Sequence, residues 1–155
     1  MKFLNPLIVV SNMEKSKLFY YEVLGLKVVV DFGANVTLTG GIALQTKDSW
    51  ATFIHKQDSE IVFGGNETEL YFEEDNFDGF IQKMNDMEDI NYVHPIIEHS
   101  WGQRVVRFYD PDKHIIEVGE NMIIVVRRFL SSGLSIKETA IRMDVPVDYV
   151  KSCLE

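Results

Sequence analysis

The chain has 155 residues, with 15 Lys and Arg against 24 Asp and Glu, a formal net charge of −9 and a single cysteine, Cys153. A chain of this length buries one real core, its acidic balance argues against nucleic acid as a main partner and weakly against an anionic membrane surface, and one cysteine excludes an intramolecular disulfide. The apolar runs Leu7 to Val10 and Met122 to Val126 are too short for a signal peptide or a membrane span, so a cytoplasmic protein with no membrane association is expected.

In chain order, Leu4 to Val10 reads as a strand and Glu14 to Leu24 as a helix with Leu18, Tyr21 and Leu24 near one side, ended by Gly25. Leu26–Asp31, Asn35–Thr39 and Ile42–Thr46 are short β-rich runs punctuated by Gly33 and Gly40-Gly41. The pattern restarts near Glu69. Leu70 to Glu74 is a strand, Phe77, Phe80, Ile81 and Met84 form one helical stripe, and Tyr92–Glu98, Arg104–Tyr109 and His114–Val118 follow as strands. Asn12-Met13 and Asn76-Phe77 occupy equivalent strand-to-helix junctions, and counting back from each sets Asn5 opposite Glu69. The order β-α-β-β-β therefore occurs twice over residues 1–120, an α+β architecture; from pattern alone the runner-up is a ferredoxin-like sandwich.

Residues 121–155 form a helical extension holding five basic and five acidic residues from Glu120 onward. A helix over Val125 to Leu130 stops at Gly133, and Ser135 with Glu138 three on makes a capping box. Ile136, Thr139, Ala140 and Met143 give an apolar side, Val145-Pro146-Val147 turns, and Asp148 starts another helix. The tail resembles a helix-turn-helix but lacks the basic footprint that DNA reading requires, so packing on the main domain or on a second subunit is expected.

Arg107 to Glu120 carries the densest chemistry. Asp110-Pro111-Asp112-Lys113 has turn chemistry, and Glu117 sits among Ile115, Ile116 and Val118 on a strand apolar on both faces. A buried carboxylate needs a partner: either an arginine such as Arg104 or Arg107, or a functional site. Phe108, Asp110, Pro111, Asp112, His114 and Glu117 resemble the closing hairpin of the vicinal oxygen chelate superfamily, which holds glyoxalase I, the bleomycin and fosfomycin resistance proteins and the extradiol dioxygenases. Lys113 stands where that family has Gly, so the turn need not contain a residue at positive φ.

The resemblance implies two βαβββ repeats forming a cupped mixed sheet, with metal ligands projecting from the first and last strands of each half. Carried over, the metal positions are Asn5, Glu69 and Glu117, with Leu44 or Gln45 at the fourth, and the candidate cofactor is a divalent metal (Mg, Mn, Ni or Zn). Glu117 and Glu69 are the candidate catalytic acids, and Trp101, Arg104, His99 and Trp50 the candidate substrate-binding residues, since Trp101 offers a flat face and Arg104 a planar cation. The leading expectation is a glyoxalase-like small-molecule lyase or isomerase. A metal-free drug or metabolite binding protein is the alternative, and a ligand-sensing regulator using the tail is a third. A homodimer is expected, because Met122–Val126 and Tyr20-Tyr21 look like surplus burial surface.

Overall fold

A computed structural model describes residues 1–155. The fold is α+β, with two repeated modules, each a four-stranded mixed sheet with a helix after its first strand, followed by C-terminal helices. The chain groups into two compact units. One comprises 1–68 with the turn 110–114, and the other 69–109 with 115–155.

In the first unit, β1 (Leu7–Val10) pairs parallel with β4 (Ala43–Thr46), which pairs antiparallel with β3 (Asn35–Leu38), and β3 pairs with edge strand β2 (Val28–Asp31). Side chains alternate across a strand, so even-numbered Val10, Val36, Leu38 and Leu44 share a fully buried face while Val9, Asn35, Thr37 and Gln45 share the other. The expected start of β1 at Leu4 is corrected: Pro6 has no N–H to give to a ladder, pairing begins at Leu7, and Asn5 precedes the strand with its amide donating to the Pro6 carbonyl.

Helix α1 (Met13–Leu24) is capped by Asn12, whose side chain accepts from the Lys15 amide, and closed by Gly25 at φ 70°. Its buried residues are Ser16, Tyr20 and Val23. Leu18 and Tyr21, expected on the core side, are each 56% exposed. The helix is turned this way because the Tyr20 hydroxyl donates to Asp110 Oδ2 at 2.9 Å, a partner 90 residues away. A further helix, α2 (Lys47–Phe53), lies in a stretch that carried no helical expectation.

The turn 110–114 is a polar node. Asp110, 4% exposed, also accepts from the amides of Asp112 and His114 and pairs with His114 Nδ1 at 2.8 Å, while Asp112 accepts from the Ser11 amide. Burial and the Asp110 carboxylate push the Tyr20 phenol well above its usual range. Lys113 adopts φ 66°, so the turn retains the left-handed residue although Gly is replaced, at a cost of roughly 1–2 kcal/mol for an L-residue. Burial pulls the His114 pKa down, but the carboxylates of Asp110 and Asp112 outweigh it and hold it above 6.5. A raised folded pKa gives stability that is complete below 6.5 and is lost as pH rises through the folded value. Urea unfolding is therefore expected to show stability that declines as pH rises above 6.5, and the decline should vanish in His114→Gln. An unchanged pH profile in that variant would refute the assignment.

In the second unit, β5 (Glu69–Glu74) pairs parallel with β8 (Ile115–Glu120), followed by β7 (Arg104–Tyr109) and edge strand β6 (Asn91–Glu98). Helix α3 (Phe77–Asn85) covers the even-numbered face, with the Phe80 and Phe108 rings 6.4 Å apart and Leu70, Val106, Ile116 and Val118 beside Phe108 on that side. Helices α4 (Met122–Ser131), α5 (Ile136–Met143) and α6 (Val147–Ser152) close over their own cluster of Val125, Val126, Ala140, Met143, Val150 and Cys153. Of the run Met122–Val126, Val125 and Val126 are fully buried in this cluster, while Ile123 is 40% exposed. No helix is long and apolar enough to cross a membrane.

Candidate functional site

The face of the second sheet opposite α3 carries the odd-numbered side chains of β5, β7 and β8. There the ladder sets Tyr71, Glu117 and Arg107 side by side, with His94 of β6 across from Arg107. Arg107 is the hub. Its Nε donates to Glu69 Oε2 at 2.9 Å, its Nη2 forms an ion pair with Glu117 Oε2, and its Nη1 lies 3.2 Å from His94 Nε2. His94 Nδ1 is 2.7 Å from the Pro95 carbonyl, which can only accept, so Nδ1 carries the proton and Nε2 accepts from Arg107. Glu117 is 5% exposed, and Oε2 makes no hydrogen bond of ordinary geometry, so charge balance by Arg107 is what makes its burial tolerable.

Beside this hub is the loop 99–103. The His99 and Trp101 rings stack at 4.1 Å and 18°. Trp101 Nε1 donates to Gln103 Oε1, and Gln103 Nε2 donates to the Tyr71 hydroxyl at 2.8 Å and to the Glu120 carbonyl at 2.9 Å. Gly119 makes room for this, since a Cβ there would lie 2.7 Å from Gln103 Nε2. Tyr71, 49% exposed, donates onward to Glu73. Burial lowers the His99 pKa, and nearby Arg107 and His94 lower it further against the opposing pull of Glu69.

Three expectations change. Arg104 is not a neighbour of the Arg107 hub. Three residues from Arg107 on one strand, it projects to the α3 face, where it pairs with Glu120 and Asp78 and lies over the Phe77 ring. Burial raises the Glu120 pKa, but Arg104 and Arg128 overcome this and hold the carboxyl below 4.5. Trp101 is not an open platform, because His99 covers it and it packs against the C-terminal cluster. Asn5 is not the counterpart of Glu69 in the ladder. The first pair of the β1–β4 ladder is Leu7–Ala43, so Asn5 lies outside it, whereas Glu69 opens the β5–β8 ladder opposite Ile115.

The two candidates for the fourth position, Leu44 and Gln45, face opposite sides of the first sheet. Gln45, 2% exposed, lies on the polar face of the first sheet, accepting from Asn35 Nδ2 at 2.8 Å and donating to Ser49, whereas Leu44 is core. Trp50 lies half-buried on α2 of the first unit. Arg107 as hub, His94, Tyr71 and Gln103 were not anticipated as site residues; Arg107 entered only as one candidate partner for Glu117. Period-two alternation from Glu117 and Glu69 reaches Arg107 and Tyr71, but the pairing of β6 with β7 that brings in His94 has no local signal.

A divalent metal fits these residues poorly. Both acids assigned to it already share a guanidinium, and no group of three or more His, Cys, Asp or Glu side chains is arranged to hold an ion.

The model of the Glyoxalase-like domain family matches residues 3–123. The chain belongs to this family. It is thereby a member of the vicinal oxygen chelate superfamily. The helices beyond Ile123 lie outside the matched domain. Among solved structures it resembles a protein of unknown function from Agrobacterium tumefaciens str. C58, at 37% identity over 78% of this chain and 94% of that one, with a TM-score of 0.69. A glyoxalase/bleomycin resistance protein/dioxygenase family enzyme from Burkholderia phytofirmans PsJN matches at 14% identity, covering 76% and 96% of the two chains, with a TM-score of 0.64. A lactoylglutathione lyase from Agrobacterium tumefaciens matches at 19%, covering 79% and 95%, with a TM-score of 0.60. At such identities the last two speak for the fold alone. No curated protein matches.

Proposed function

We propose that this glyoxalase-like protein binds a small molecule without a metal, on the polar face built around Arg107. One observation carries the reading: the Arg107 guanidinium occupies both Glu69 and Glu117, the acids a glyoxalase-type lyase would need for metal or proton transfer. A divalent ion would have to compete with that guanidinium for both carboxylates, and no third His, Cys, Asp or Glu side chain is placed to complete its ligand set. The face also suggests the ligand. Three carboxylates, Glu69, Glu73 and Glu117, outnumber one guanidinium, and the Tyr71 ring is half open beside them. A flat cation meets both features, by charge and by stacking.

The test is elemental analysis of the purified chain, followed by titration of metal-free protein with the flat cationic dye proflavine, with the anionic 8-anilinonaphthalene-1-sulfonate as control. Dye binding that weakens with salt and is indifferent to EDTA, Mn, Ni or Zn supports the reading. Stoichiometric metal in the purified protein, or a melting temperature raised by one of these ions, would overturn it in favour of the metal-dependent lyase. Pairing with a second copy belongs to the same proposal. Val28, Val29 and Val30 on edge β2 and Val93, Ile96 and Ile97 on edge β6 are exposed, and a monomeric mass by light scattering on the same sample would remove it.

A further inference from the structure

We infer that the C-terminal helices are a clamp that positions the loop 99–103 beside the Arg107 face, with Arg142 and Phe129 as positioning residues of the proposed binding site. The inference rests on the binding reading only for its ligand-dependent part.

The tail grips three consecutive loop residues. Arg142 of α5 donates through Nη1 to the Ser100 carbonyl and pairs through Nη2 with Glu98 at 3.3 Å. Trp101 packs against the cluster of Val125, Val126, Ala140, Met143 and Val150. Arg128 of α4 donates to the Gly102 carbonyl at 2.6 Å. Phe129 fills the space a side chain at Gly102 would need, since a Cβ there would lie 2.3 Å from the ring, and Gly102 has φ +88°, a conformation that favours glycine. The guanidinium groups of Arg128 and Arg142 lie over the same Phe129 ring, with centroid distances of 5.2 and 5.0 Å.

The other side of this loop faces the site. Trp101 carries the stacked His99, and its indole N–H leads through Gln103 to Tyr71. The His99–Trp101 stack and the Trp101–Gln103–Tyr71 hydrogen-bond chain thus start from a backbone segment held by α4 and α5. The family match ends at Ile123, so most of the clamp is an addition of this chain to the domain. A loop so held is pre-organised and spends less ordering entropy on binding. The coupling is reciprocal: a ligand that engages His99 or Tyr71 also favours the docked tail.

The test uses the full chain with Arg142→Ala, Arg142→Lys and, as a second route to the same latch, Glu98→Gln; Arg142 and Glu98 are 38% and 44% exposed, so neither change opens the core. The first readout needs no ligand. NMR follows the Trp101 indole signal and the titration of His99, whose neighbours are Arg107, His94, Glu69 and the Trp101 ring. In Arg142→Ala the His99 midpoint should rise toward 6.5 and the indole signal should broaden, with Arg142→Lys and Glu98→Gln intermediate. Proflavine affinity should fall by about fivefold or more, the lower end of typical coupling. Unchanged His99 and Trp101 signals in Arg142→Ala and Glu98→Gln would overturn the clamp. So would a moved loop with undiminished dye affinity. Dye binding by none of the proteins would count against the binding reading instead, and the loop signals alone would then decide the clamp.

Discussion

Replacing Arg107 by alanine is expected to lower the free energy of unfolding by about 3–5 kcal/mol, because it leaves the buried Glu117 carboxylate without a counter-charge. Glu117 is 5% exposed and flanked by apolar Ile116 and Val118, so water offers it little relief. Against a total stability of roughly 5–15 kcal/mol, such a loss is visible in any denaturant series. The second acid contributes far less: Glu69 is 39% exposed at its side chain, so Glu69→Gln should cost only about 0–1 kcal/mol. The double variant Arg107→Ala/Glu117→Gln should recover much of the single variant's loss, since a neutral amide is cheaper to bury than an unpaired charge. If Arg107→Ala unfolds within about 1 kcal/mol of the parent, the ion pair is not what balances Glu117, and the argument against a metal there loses its basis.

That pair also marks where the sequence was legible. Its two members belong to adjacent strands of a repeated module, and the module repeat is written in local signals. Asn12 and Asn76 both cap helices, β7 spans the expected Arg104–Tyr109, and the Ser135–Glu138 capping box is formed. Each signal depends only on neighbours a few residues away. Period-two alternation also separates Arg104 from Arg107, because three positions along a strand reverse the face, and it points to Arg107 as the partner of Glu117.

What stayed hidden depends on contacts distant in sequence. The face that α1 buries follows from Tyr20 meeting Asp110, and no periodicity within the helix ranks Tyr20 above Tyr21. The left-handed turn at Lys113 persists because Asp110 holds the amides of Asp112 and His114, so substitution of the glycine concealed a conformation that the surrounding bonds still impose. Counting back from the helix caps did not show that Asn5 falls before the first ladder pair, Leu7–Ala43, because that depends on Pro6 having no N–H to offer β4.

The C-terminal extension carries the second large effect. Met143 is 1% exposed within the cluster formed by α4, α5 and α6, and Met143→Ala is expected to cost about 2–5 kcal/mol through lost burial and the cavity left behind. The informative part is how the loss is distributed. A tail that folded by itself would melt in a transition of its own, but short helices are marginal alone, and this cluster includes Trp101 from the sheet's own loop. Arg128 ties the same helices to the buried Glu120 at 3.0 Å and to Gly102. Helical circular dichroism and tryptophan fluorescence should therefore fall together in one cooperative transition, displaced downward in the variant. Truncation after Glu120 should go further, because it strips the apolar partners from Trp101 and removes one of the two arginines that hold Glu120 ionised. A truncated chain that melted at the parent's temperature would show that the tail is an appended module with no part in the stability of the sheet. Two separated transitions in Met143→Ala would show the same by an independent route.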